Sequence, residues 1–139
     1  MSMAYKRDMN LIRNLLLEIE GGRNVFVLLD QETAEALGAP SPDQPLSAAE
    51  VRTFEYHLTL LADAKFIALS RRSGGYWLVD GISWEGHDFL DSVRDPQIWK
   101  LTKAGAECAG GFSVEMLKAL AKGILKTQVE KHSGLAIEF

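Results

Sequence analysis

The chain has a single cysteine, Cys108, so no internal disulfide can form. That scarcity fits a reducing compartment. No apolar run approaches the roughly 18 residues that a membrane-spanning helix needs; the longest candidate, VFVLL at 25–29, has five. MSMAYKRDMN at the start carries no apolar stretch ahead of a cleavage site, so the expected location is cytoplasmic, with no secretory leader. Positive charge is also in short supply: 15 Lys and Arg stand against 19 Asp and Glu, a net charge of −4. This disfavours nonspecific phosphate binding by the whole molecule, because nucleic-acid affinity rests on cations that displace counterions. The shortage is uneven. Residues 25–50 hold Asp30, Glu32, Glu35, Asp43 and Glu50 and no Lys or Arg, so a DNA-facing surface has to lie elsewhere.

What is present is an ordinary globular composition. The 139 residues are 47% hydrophobic and 24% charged, enough for one core and an additional helix or arm. Ile12, Leu15, Leu16 and Ile19 recur at helical spacing. They predict an amphipathic helix over 8–20, opened by Asp8 and stopped by Gly21–Gly22. NVFVLLD (24–30) has strand character, QETAEALG (31–38) suits a short helix, and the three prolines of APSPDQP (39–45) make a loop. Ser47 and Glu50 have the spacing of a capping box. The helix they open, 48–64, buries Val51, Phe54, Leu58 and Leu61 and shows Arg52, Glu55, Tyr56, Thr59 and Asp63 on its other face.

Phe66–Leu69 and Tyr76–Val79 read as two strands joined at SGG (73–75). Ser83 opens a helix over 84–94 with Trp84, Phe89, Leu90 and Val93 directed inward. Gly86 lets that helix sit close to its neighbour. Pro96 ends it or starts a further short helix at QIWKLTK. AGAECAGG (104–111) reads as a flexible break, and Ser113 caps a last helix with Leu117, Leu120, Ala121, Ile124 and Leu125 on a broad apolar face. GLAIEF (134–139) is a tail with the makings of a strand edge.

Helix, strand, short helix, helix, hairpin, helix is the order of a winged helix-turn-helix. There, the helix before the hairpin enters a DNA major groove and the hairpin touches flanking backbone. The expected class is α+β and mainly helical. It comprises a winged helix-turn-helix-like domain over residues 1–104 and an additional C-terminal helix over 105–139, a dimerisation arm.

Three blocks carry a family resemblance: KRDMNLIRNLLLEIE (6–20), YHLTLLADAKFI (56–67), and ISWEGHDFLDSVRD (82–95) with Trp99 behind it. They resemble the bacterial and prophage proteins catalogued as domain of unknown function 2513. The resemblance implies a winged-helix fold and brings no catalytic activity with it. Lys65 stands where the family pattern ends the helix with glycine, and residues 25–45 make a longer connection than the family's usual one.

ISWEGHDFLDSVRD also concentrates Glu85, His87, Asp88 and Asp91. On a helix His87 and Asp91 share a face, as do Glu85 and Asp88, and such a set suits a divalent transition metal. No second His or HExxH spacing accompanies them, and acids in a first turn suit the helix dipole. A helix start with a structural His87 is the simpler reading, with no metal and no cofactor. His57 reads as a hydrogen-bonded boundary residue and His132 as a helix-end cation. Cys108 has no basic neighbour to activate it, and Gly105, Gly110 and Gly111 lack the ending of a phosphate loop. No spaced nucleophile, base and orienter occurs, so no enzymatic activity is expected.

For DNA, the candidates are Arg52, Tyr56 and Thr59 toward base edges and Arg71 and Arg72 toward phosphate or the minor groove. Against them, the helix over 47–65 sets Glu50, Glu55 and Asp63 against Arg52 and Lys65, whereas groove-reading helices are typically basic. Two functions therefore stand side by side. One is a transcriptional regulator that binds double-stranded DNA as a homodimer. The other is a non-catalytic protein–protein interaction module on the same scaffold, engaging another regulator or a phage protein. Lys118, Lys122 and Lys126 recur every fourth residue and read as a solvated face. The apolar side of their helix is buried against the domain or, by preference, a second copy.

Overall fold

The structure is a computed structural model that describes residues 6–38, 46–73, 75–109 and 113–133. The proline loop at 39–45, the tail at 134–139 and the His132 side chain lie outside the described residues. The fold is α+β and mostly helical, with a small antiparallel sheet. No helix among the described residues is long and apolar enough to cross a membrane. The chain divides into two compact units, residues 1–86 and 87–139.

The first unit begins with α1 (Met9–Glu20). The Asp8 carboxylate accepts from the Asn10 and Leu11 amides at 2.9 and 3.3 Å, satisfying two donors that the first turn leaves open. Ile12, Leu15, Leu16 and Ile19 are buried, as their spacing predicts. β1 (Val25–Val27) is shorter than NVFVLLD suggests. The chain leaves the ladder because Asp30 already caps α2 (Gln31–Ala36), its carboxylate accepting from the Thr33 amide at 2.6 Å. α3 (Ala48–Asp63) has both halves of its capping box, Glu50 N–H to Ser47 Oγ at 3.1 Å and Ser47 N–H to Glu50 Oε1 at 3.0 Å. Leu58 and Leu61 are buried, but Val51 and Phe54 are only half-buried. In their place His57, expected at the boundary, is fully buried.

Just past the end of α3, after its C-cap Ala64, Lys65 adopts φ 63. That is the left-handed conformation a glycine would hold without a Cβ penalty, so lysine here carries on the order of 1–2 kcal/mol of strain. β2 (Ile67–Ser73) and β3 (Tyr76–Ile82) both outrun their expected lengths. The sheet order is β1-β3-β2, antiparallel throughout, with Phe26 opposite Trp77 and Arg72 opposite Trp77 on the other side. α1 packs against β3 and α3, and α3 against β2. Phe26, Leu15, Leu16 and Leu58 are wholly inaccessible. Gly75, at φ 83, accepts at its carbonyl from the Leu28 amide at 2.7 Å. A Cβ on Gly75 would collide with Leu29, so only glycine both turns the hairpin and lets its tip lie on the chain after β1.

α4 (Trp84–Val93) starts in the first unit and runs into the second. Ser83 caps it, accepting from the Gly86 amide at 3.1 Å. Gly86 lies against the Phe66 carbonyl and Ile82, where a Cβ would clash. Trp84 corrects the expectation of an inward residue: it is 85% exposed, whereas Phe89, Leu90 and Val93 are fully buried. The first helical position lies nearly opposite the buried stripe, so periodicity extended one turn too far toward the N-terminus assigns it the wrong face.

In the second unit Asp95 accepts from the Gln97 and Ile98 amides at 2.8 and 3.0 Å and opens α5 (Pro96–Ala109). Pro96 therefore starts a helix at the position where its missing N–H costs nothing. That helix is not short. It continues through AGAECA, where a break was expected. Gly105 packs beside Leu120 and Ala106 is fully buried, so these small residues seat a neighbouring helix. That neighbour is α6 (Val114–Ser133), capped by Ser113, which accepts from the Met116 amide at 3.1 Å. Its apolar face is narrower than expected. Leu117 and Ala121 are buried, Leu120 and Ile124 half-buried, and Leu125 42% exposed.

Candidate nucleic-acid interface

Arg52, Tyr56, Thr59 and Asp63 follow one another at helical spacing along α3, on the side away from His57, Leu58 and Leu61. Arg52 is exposed, and Tyr56 and Thr59 are half-buried. The Thr59 hydroxyl donates to the Glu55 carbonyl at 2.8 Å, leaving only its acceptor capacity for a partner. The Tyr56 ring meets His57 edge to face at 5.5 Å. Glu50 is occupied by its cap, so Glu55 and Asp63 remain as the acids along this stripe.

The hairpin separates the two arginines that the sequence groups together. Residues opposite each other in a ladder share a face. Arg72 faces Trp77, which is buried on the side of Phe26 and Val79. Its guanidinium lies 5.3 Å from the Trp77 ring centroid, a cation–π contact. Arg71 faces Leu78, which pairs with Val25 on the outer side of the sheet. Both are exposed, yet they point to opposite faces. Among the described residues Arg52, Lys65 and Arg71 have no ion-pair partner, whereas Arg23 binds Glu18 at 3.2 Å and stacks on Phe26 at 4.1 Å. Lys65 was not among the expected contacts. Its signal was the loss of the family's helix-ending glycine.

His57 anchors the helix that carries this stripe. Its Nε2 accepts from the Asp8 amide at 2.8 Å, and its Nδ1 lies 2.8 Å from the Thr53 carbonyl. An amide N–H can only donate, so the ring is assigned as the Nδ1–H tautomer, with Nδ1 donating to Thr53. The imidazole thus joins the start of α1 to the middle of α3.

Two acids of the candidate set in ISWEGHDFLDSVRD are paired with cations, and Glu85 is exposed in the first turn of α4. Asp88 binds Lys118 Nζ at 2.6 Å, and Asp91 binds Arg94. The Lys118 hydrogen bond holds the Asp88 carboxyl below the ordinary aspartate range, and the Lys118 and Lys122 charges add to that effect. The Thr33 hydroxyl and amide similarly lower Asp30 at the start of α2. His87 is exposed. Among the described residues no group of three His, Cys, Asp or Glu is arranged to hold a metal. Cys108 is exposed on α5.

A Haemophilus influenzae protein described as "Uncharacterized protein" is 27% identical over 124 residues, 86% of this chain and 95% of the relative. No solved structure matches the chain. The family described as hypothetical protein DUF2513 matches residues 6–113, which include α1, the sheet, α3, α4 and α5. With most of its length covered, the chain belongs to the DUF2513 family.

Proposed function

We propose that residues 6–86 form a winged helix-turn-helix that binds double-stranded DNA. α3 would lie in the major groove and the β2–β3 hairpin beside the phosphate backbone. Support comes from the element order α1, β1, α2, α3, β2, β3 and the strand order β1-β3-β2. That arrangement has the helix preceding a hairpin which such domains use for groove reading. The observation that carries the reading is the pair Arg52 and Arg71, exposed cations without an ion-pair partner in a segment whose acids outnumber its bases. Arg52 and Tyr56 would meet base edges, and Arg71 and Lys65 phosphate. Arg72, stacked on Trp77, contributes mainly to the hairpin's packing. The protein would act in the cytoplasm as a homodimeric regulator of transcription.

Fluorescence anisotropy with a random-sequence duplex at low salt tests this. Arg71→Ala weakens binding about equally on all sequences and lowers the slope of log K against log salt by about one. Arg52→Ala reduces discrimination between sequences, and Arg72→Ala has the smaller effect on affinity. A chain that leaves duplex unbound at low salt overturns the reading. The second reading, a protein–protein interaction module, then takes its place. It is favoured by Trp84 at 85% exposure and by Val25 and Tyr76, each 41% exposed on the outer side of the sheet.

A further inference from the structure

Among the described residues of the second unit, one helix face has no partner. An open apolar groove of about 440 Å³ runs along α6, lined by Leu101 of α5 and by Ala119, Leu120, Gly123, Ile124 and Thr127 of α6. Leu101 is 38% exposed. Gly123 is exposed in the middle of a 20-residue helix, and a Cβ added there would meet nothing within 4 Å. Glycine at such a place costs roughly 1 kcal/mol relative to alanine, and no contact among the described residues explains it.

The row through Gly123 has a symmetry of its own. Glu115, Ala119, Gly123, Thr127 and Lys131 recur every fourth residue, and all five are exposed. Rows of this kind incline about 26° to the helix axis, so two helices that cross at about 50° lay such rows side by side. If one row is turned antiparallel about Gly123, Ala119 meets Thr127 and Glu115 meets Lys131 at both ends. Parallel alignment would instead oppose Glu115 to Glu115 and Lys131 to Lys131. Within one helix these two charges are sixteen residues apart, about 24 Å, too far to pair. Neither has an ion-pair partner among the described residues.

We propose that this groove is the seat of a second copy of the chain, with α6 packed antiparallel on its own copy about a two-fold axis at Gly123. The missing Cβ lets the two backbones approach. The groove walls Leu101, Leu120 and Ile124 supply apolar area, and the two Glu115–Lys131 pairs select the antiparallel orientation. An isologous contact of this kind closes at two chains. It is independent of DNA binding, since it uses no residue before α5.

Size-exclusion chromatography with light scattering on the full chain reads the outcome. The wild type elutes as a dimer with twice the 15.4 kDa chain mass. Gly123→Leu is monomeric at the same concentration, with its helical circular dichroism kept, because the site faces open space. Glu115→Lys and Lys131→Glu each weaken association on the order of tenfold, from like charges opposed at both ends. The double swap restores the dimer although it opposes the helix dipole within each chain. In a Cys108→Ser background the double variant Ala119→Cys/Thr127→Cys forms an interchain disulfide and Thr127→Cys alone does not. A monomeric wild type, a dimer indifferent to Gly123→Leu, a swap that fails to restore association, or a crosslink by Thr127→Cys alone would each overturn the proposal.

Discussion

Residues 6–86 are fastened by directional polar contacts, and residues 87–133 mainly by the spacing of apolar and small side chains. In the first unit the Asp8 amide, His57 and the Thr53 carbonyl form a chain of two 2.8 Å contacts. Ser47 and Glu50 close a capping box, and Ser83 joins the Lys65 carbonyl to the Gly86 amide. In the second unit Phe89, Leu90, Val93 and Leu117 are fully buried, and its buried hydroxyl, Thr102, donates to Ile98 on its own helix at 2.6 Å. Charge divides too. Residues 1–86 hold eight Lys and Arg against twelve Asp and Glu, whereas residues 87–139 hold seven of each. Polar contacts define one geometry and break abruptly when a partner is lost. Packing tolerates change more gradually and can leave apolar surface uncovered. A DNA role for the first unit would therefore depend on a few placed cations, since its overall field repels phosphate.

The largest test of this contrast is a matched pair of core truncations. Leu58→Ala and Leu117→Ala each empty a wholly buried site, one per unit, and each should cost about 2–5 kcal/mol. Hydrogen exchange read by segment separates them. Leu58→Ala is expected to deprotect α1, α3 and the sheet, and Leu117→Ala to deprotect α5 and α6. Equal deprotection of the whole chain by either would mean one cooperative unit, and the comparison would dissolve.

A smaller effect is expected at His57. His57→Leu leaves the Asp8 amide without its acceptor and removes the ring N–H from the Thr53 carbonyl, which keeps its helix-backbone bond. The cost should be about 1–3 kcal/mol, toward the lower end because the Asp8 contact is only part-buried. The signature is local, with loss of exchange protection at the start of α1 ahead of the rest. A stability change within error would show that polar fastening is not what holds α1 to α3.

The elements most legible in the sequence were those with period and punctuation together. α1 combines Asp8 with Ile12, Leu15, Leu16 and Ile19, and α3 combines a capping box with Leu58 and Leu61. The misses share a cause: the deciding partner lies far away in sequence. Gly105 resembled a break because its reason, Leu120, is fifteen residues on. His57 resembled a boundary residue because its acceptor role is set by Asp8, forty-nine residues earlier. β2 extends through Ser70, Arg71 and Arg72 because an edge strand takes polar residues that no apolar alternation marks. At the candidate site, the exposure of Arg52 followed from the apolar stripe on the other side of its helix. The division of Arg71 from Arg72 follows from strand alternation once β2 is known to reach them, and the polar run Ser70–Arg72 carried no apolar pattern to show that it does.

The smallest effect belongs to a cross-helix ion pair in the second unit, between Asp88 on α4 and Lys118 on α6. The side chains are 45% and 29% exposed, so solvent screens them. Asp88→Asn should cost no more than about 1 kcal/mol at neutral pH and low salt, and less at high salt. Its pH dependence has a definite sign. Lys118 holds the folded-state carboxyl below the ordinary aspartate value, so the folded chain keeps this charge to lower pH than the unfolded chain does. The contribution is fully present above about pH 3.9, where both states are ionised. It is lost as pH falls through the lower folded-state value. Urea melts of wild type and Asp88→Asn should therefore differ at neutral pH and converge as the solution becomes strongly acidic. A gap that stays constant, or widens with acid, would mean the carboxylate is not what couples α4 to α6. The second unit would then depend more on packing, and its contrast with the first would sharpen.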